Sequence, residues 1–240
     1  MPSYLRHLLL WVGCVCLLPD TEVLGQGRQP ATAVVPGQRL PDDRPPLDLQ
    51  RLQASGLTVY RSRHLILVSD APAEQCRGLP ELADQFCRAL QQQLGPLATD
   101  AAGTEFQVTG YLMDARERFQ DAGVLPDGDF VIRHGRHRGY QFWMANQPSD
   151  YYRRHLLLHE FVHCYLMCEY GLRDIPPLWY TEGIAEVLAT HRLEPLEFGI
   201  LPDQLNGFEG WGRITELRKR PAYNGSPTRG WPIWAICTRI

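Results

Sequence analysis

Apolar and polar residues follow several distinct rhythms along this chain. The first is an unbroken run, Leu8 to Leu18, with Arg6 and His7 before it and Pro19 and the small Gly25 after it. That run is shorter than the roughly 20 residues a helix needs to cross about 30 Å of hydrocarbon. It reads as the core of a secretory signal peptide, residues 1–25, in preference to a permanent membrane anchor. A lipoprotein signal through Cys14 is a weaker reading, because bulky Trp11 precedes it. Residues 26–46 turn to Gly, Pro, Gln and Asp and bury too little apolar surface to offset their ordering entropy, so they are expected to be a linker. The folded part then runs from Leu47 to the last residue, 240.

Within it the rhythm alternates between two kinds. Residues 63–70 (RHLILVSD) form a short β-type run, and 79–95 carry apolar residues at 79, 82, 86, 90 and 94 before Gly95, which is helical spacing with a stop signal. Residues 105–113 alternate like a strand, and 114–123 read as a helix opened by Asp114 and closed by Gly123. Two more strands, 129–133 and 139–145, are expected to meet around HGRHRG, with His134 and His137 at a solvated hairpin tip among arginines. A helix of about twenty residues follows from Tyr151 to Gly171, and a second is introduced by Pro176 and Pro177. The fold class is α+β, with a small mixed sheet packed on the longer helix.

Composition narrows the function classes only slightly. The 240 residues are 44% hydrophobic and 21% charged, within the range of an ordinary globular domain. The net charge of −3 supplies no general attraction to nucleic acid or anionic membrane, so neither is expected as a partner, and no stable membrane span is expected. Export would leave Cys76, Cys87, Cys164, Cys168 and Cys237 in the mature chain. Cys76 and Cys87 flank a helix start and are open to a disulfide, whereas Cys164 and Cys168 lie one helical turn apart and read as packing residues.

The chemistry concentrates in the long helix, in HLLLHEFVHCYL from 155 to 166. His155, His159 and His163 recur every four residues and share one face within about 80°. His159-Glu160-Phe161-Val162-His163 is HExxH, in which two histidines one turn apart can aim at one Zn²⁺ while the glutamate between them reaches its water. The full stripe from 155 to 163 covers about 12 Å of axis, too far for one tetrahedral ion, so the glutamate selects the pair and leaves His155 as a neighbouring hydrogen-bonding group. A shuffled chain of this composition yields HExxH about once in a hundred. A third ligand is therefore needed. The HExxHxxGxxH pattern does not apply, since Leu166 and Glu169 stand where its glycine and third histidine belong. Asp174 is an unsupported candidate; Glu182, nineteen positions past His163, is the better one.

Around Glu182 stand Trp179, Gly183, Ala185 and Glu186, forming WxxEGxAE. This resembles the gluzincin metallopeptidases, thermolysin and the membrane-alanyl aminopeptidases among them, and at domain scale the peptidase-MA-like families of exported bacterial proteins, over residues 57–192. The resemblance implies a zincin-like fold in which Zn²⁺ is held by His159, His163 and Glu182. It implies Glu160 as the catalytic base and Glu186 as a carboxylate that orients the first histidine. A peptide or protein substrate is implied, and is expected to extend along the strand GYQFWMA, taken as an edge. Larger gluzincins carry a downstream Tyr or His that supports the transition state, for which Tyr223 and His191 are the candidates in this shorter chain. The ending RGWPIWAICTRI reads as an incomplete element. The expectation is thus an exported, periplasmic or envelope zinc peptidase, with a zinc-binding scaffold that has lost turnover as the alternative.

Overall fold

The computed structural model describes residues 39–100, 102–126, 132, 134–170 and 176–200. Their elements are helix α1 (Leu49–Ala54), strands β1 (Thr58–Arg61) and β2 (Leu65–Ser69), helices α2 (Ala73–Cys76) and α3 (Leu79–Leu94), strand β3 (Val108–Met113) and helix α4 (Arg116–Asp121). Strands β4 (Gly135–Arg138) and β5 (Gln141–Ala145) come next, then helices α5 (Asp150–Tyr170) and α6 (Leu178–Leu188) and a small ribbon, β6 (His191–Leu193) with β7 (Leu196–Phe198). The architecture is α+β, built on a five-stranded mixed sheet in the order β1-β2-β3-β5-β4. β2, β3 and β5 run parallel in the middle, and β1 and β4 pair antiparallel at the two sides.

The pleat divides the apolar residues of the inner strands between two cores. Leu65, Leu67, Val108, Leu112, Phe142 and Met144 face α3 and α5, while Val68, Tyr111, Met113 and Trp143 face α1 and α4. Burial on both faces is why these strands read as continuous apolar runs rather than clean alternation. Phe142 reaches its place because Gly110, paired with it across β3 and β5, has no side chain: a Cβ there would lie 2.3 Å from the Phe142 ring. Ser149 starts α5, its Oγ accepting from the Tyr152 N–H at 3.2 Å, with Asp150 in the first turn favourably placed for the helix dipole. From Leu157 to Cys168 the helix buries apolar residues nearly all round, as a central helix must.

Several expectations change. GYQFWMA is not an edge: β5 lies between β3 and β4, and β4 forms that side of the sheet among the described residues. HGRHRG is not a hairpin tip, because Gly135–Arg138 is itself the strand and the chain turns at Gly139. The strand expected at 129–133 falls on residues that, Ile132 apart, lie outside the described ones. Cys76 and Cys87 are both free and buried, with no disulfide between them, and Cys164 and Cys168 are buried and free as packing residues. α4 begins at Arg116, not Asp114, whose carboxylate instead accepts from Asn146. The last residues of the expected linker, from Arg39, are docked on the domain: Arg39 is buried, its Nε donating to Tyr140 Oη at 3.0 Å and its Nη2 facing Asp100 at 3.3 Å. Polar contacts hold this segment together with a single apolar residue, Leu40, packed against the core, and a count of apolar residues misses it. Among the described residues no helix is long and apolar enough to cross a membrane.

Candidate metal centre

Helix α6 lies against α5, and Ala185, fully buried, is small enough to let the two backbones approach. That approach brings three atoms of two helices together. His159 Nε2 and His163 Nε2 are 3.0 Å apart, and Glu182 Oε2 is 3.3 Å from the first and 3.4 Å from the second. Three polar atoms at these separations are held together by a hydrogen on an imidazole nitrogen or by a metal ion. Ligands about 2.0–2.1 Å from a tetrahedral zinc lie about 3.3–3.4 Å from one another, and two histidines with one glutamate are a donor set of catalytic zinc sites. The residues therefore fit a zinc ion.

Glu186, one turn after Glu182, backs this cluster. Its Oε2 is 3.2 Å from His159 Nδ1, though off the line of a hydrogen bond, and 3.5 Å from His155 Nε2. A second converging group, His155, His159 and Glu186, shares His159 with the first. The first is the stronger ligand set, because both its histidines turn their Nε2 atoms toward one point and lie almost wholly inside the protein, whereas the Glu186 carboxylate is 41% exposed. Burial disfavours a charge on His159, yet Glu182 and Glu186 outweigh it and raise its pKa to about 10. Burial dominates at His163 and lowers its pKa despite Glu182. The two carboxylates are desolvated, yet the histidines beside them hold both far below the usual carboxylate range. Without a metal, then, a proton on His159 balances the acidic pair.

Neither the protein-family models nor the curated proteins compared with this chain match it.

Glu160 follows His159 on α5 and turns toward β4. Its side chain is buried, and the edge strand is shaped around it: a Cβ on Gly135 would lie 2.2 Å from Glu160 Oε1. Two residues along the same face of β4, His137 Nδ1 lies 3.2 Å from Glu160 Oε2, and the His137 ring stacks on His163 with centroids 4.2 Å apart. The sequence reading misses both residues. Period-two alternation in Gly135-Arg136-His137-Arg138 was the available signal, hidden by flanking glycines that suggest a turn. A cavity of about 110 Å³ opens beside the cluster, lined by His137, His163 and Glu182 with apolar Leu166, Met167 and Leu178.

Other expected site residues fall elsewhere. His155 stands at the Glu186 end of the cluster and stacks with Tyr151, a neighbour and not a member of the tighter ligand set. His191 is not brought to the cluster. It is wholly buried under Tyr151, its Nδ1 donates to Ala189 O at 3.0 Å and its Nε2 accepts from Arg154 Nε at 3.1 Å, so it has no donor left for a substrate oxyanion. Tyr223 and Asp174 lie outside the described residues, as does Cys237.

Proposed function

We propose that the chain is an exported zinc-dependent peptidase of the zincin type. The observation that carries the reading is the convergence of His159 Nε2, His163 Nε2 and Glu182 Oε2 within 3.0–3.4 Å, with a buried carboxylate, Glu160, on the adjoining turn. The long helix packed on a mixed sheet, followed by a shorter helix that carries the glutamate, is the arrangement the resemblance to gluzincins implies.

His159, His163 and Glu182 would hold a zinc ion, which would supply a Lewis acid for the hydrolysis. The chain does the rest. Glu160 takes a proton from the attacking water and returns it to the departing amine, which a carboxylate can do only while it is ionised and held within hydrogen-bonding reach. Glu186 lies 3.2 Å from His159 Nδ1 on the far side of the ring, where its charge favours a ring orientation that turns Nε2 toward Glu182. β4, on the outside of the sheet beside Glu160, offers backbone groups to an extended peptide, which would add as a further strand. The cavity beside His163 and Glu182 is where a substrate side chain next to the scissile bond would go.

Metal analysis of the purified protein with a peptide-library cleavage assay tests the reading. About one zinc per chain with cleavage supports it; zinc without cleavage favours the scaffold, and no zinc overturns both. His159→Ala and His163→Ala are expected to lose stoichiometric zinc while His155→Ala keeps it, as metal content of the three variants will show. Loss from His155→Ala and His159→Ala with zinc kept in His163→Ala would place the ion between His155 and Glu186 instead, and equal loss from all three would overturn the assignment. The apolar run before Pro19 supports export, and intact-mass measurement on exported protein is expected to find a chain lacking about 25 N-terminal residues.

A further inference from the structure

Gly135 and His137 occupy alternate positions of the edge strand, so both face α5, whereas exposed Arg136 and Arg138 face away. Each touches the same side chain. The absent Cβ of Gly135 leaves the space that Glu160 Oε1 fills, and His137 Nδ1 meets Glu160 Oε2 at 3.2 Å. An ionised carboxylate only accepts, so Nδ1 carries the proton and donates. The His137 ring lies nearly parallel to that of His163, at 17°. It belongs to neither group of converging ligand atoms, so its contact with the cluster is through Glu160 and through this stack.

We propose that His137 is a positioning residue for the base: its Nδ1–H···Oε2 bond across the β4–α5 contact, in room left by Gly135, holds the Glu160 carboxylate in one orientation. The proposal rests on the peptidase reading for its kinetic consequence, and on geometry alone for the bond itself. A buried carboxylate on a helix has rotamers to choose among, and a single donor on one oxygen fixes one of them while leaving the other oxygen free to accept a proton. The glycine matters as much as the histidine, because a side chain at 135 would push the carboxylate off that line. Nothing else on β4 faces the same way.

Three substitutions separate the hydrogen bond from the stack. His137→Asn keeps a donor near the Nδ1 position, His137→Phe keeps a flat ring on His163 without a donor, and His137→Ala removes both. On a peptide that the parent cleaves, Phe and Ala are expected to lower kcat about 10–100-fold, and Asn to restore kcat to within about threefold of the parent. Zinc content should stay near one per chain in all of them. Full activity in His137→Phe, or no gain from Asn over Phe, overturns the proposal. Zinc loss from His137→Phe also overturns it, because the residue would then act through the ligands. A second measurement is independent of turnover. In chelator-treated protein, urea midpoints for His137→Phe, Glu160→Ala and the double variant are expected to be non-additive, since each single change already breaks the one bond; additive shifts sink the proposal. If the parent has no peptidase activity the proposed function fails, and this cycle still decides whether His137 and Glu160 are coupled.

Discussion

Glu160→Gln is expected to keep about one zinc per chain while peptidase activity falls by roughly two to four orders of magnitude. The amide has the size and shape of the carboxylate, so the tight space beside Gly135 and the bond from His137 Nδ1 both survive. What is lost is basicity. An amide takes no proton from water at neutral pH, so the step that makes the nucleophile has no base while the ligand atoms stay where they were. Glu160 is also absent from both groups of converging ligand atoms, which is why its loss should not touch the metal. Metal analysis and cleavage rates on the same preparation check both halves. Zinc lost along with activity would make Glu160 a ligand and overturn its role as base.

The convergence of His159, His163 and Glu182 was legible from sequence because helices impose simple rules: i, i+4 spacing puts His159 and His163 on one face, and Glu182 and Glu186 repeat that spacing on the next helix. Distances of 3.3–3.4 Å between side chains 19 and 23 residues apart follow once those helices pack. The strand's contribution was not legible. His137 approaches Glu160 because β4 pairs antiparallel with β5, and β5 must first be threaded between β3 and β4 by a parallel crossover. No local rhythm records that. His191 failed for a related reason, since a histidine three residues beyond the end of α6 could point either way, and the Tyr151 ring and Arg154 decide that it points away from the cluster. Arg39 shows the limit of composition as a guide, because a buried guanidinium, with Leu40 packed beside it, docks a segment otherwise rich in Pro, Asp and Arg.

Glu182→Ala is expected to lower zinc affinity by orders of magnitude and thermal stability with it. The substitution removes one of three ligands, leaving two imidazoles whose buried nitrogens still face each other at 3.0 Å. When free zinc is about 100 times its dissociation constant, binding stabilises the fold by about 2.7 kcal/mol. Losing that term should lower the midpoint by roughly 5–10 °C for a domain of this size. The metal-free protein adds a pH signature. His159 holds its proton up to about 10, against an ordinary value of 6.5, so in chelated protein its stabilising contribution is complete below pH 6.5 and is lost as pH rises to about 10. Zinc must displace that proton, so binding at pH 7 should release about one proton per ion and tighten by about a decade per pH unit up to that range. In Glu182→Ala one of the carboxylates that raise the His159 pKa is gone, so proton release should shrink together with affinity. Calorimetric titrations in two buffers of different ionisation enthalpy measure both at once. If Glu182→Ala binds zinc as tightly as the parent, the third ligand lies elsewhere, and Asp174 is the first residue to replace.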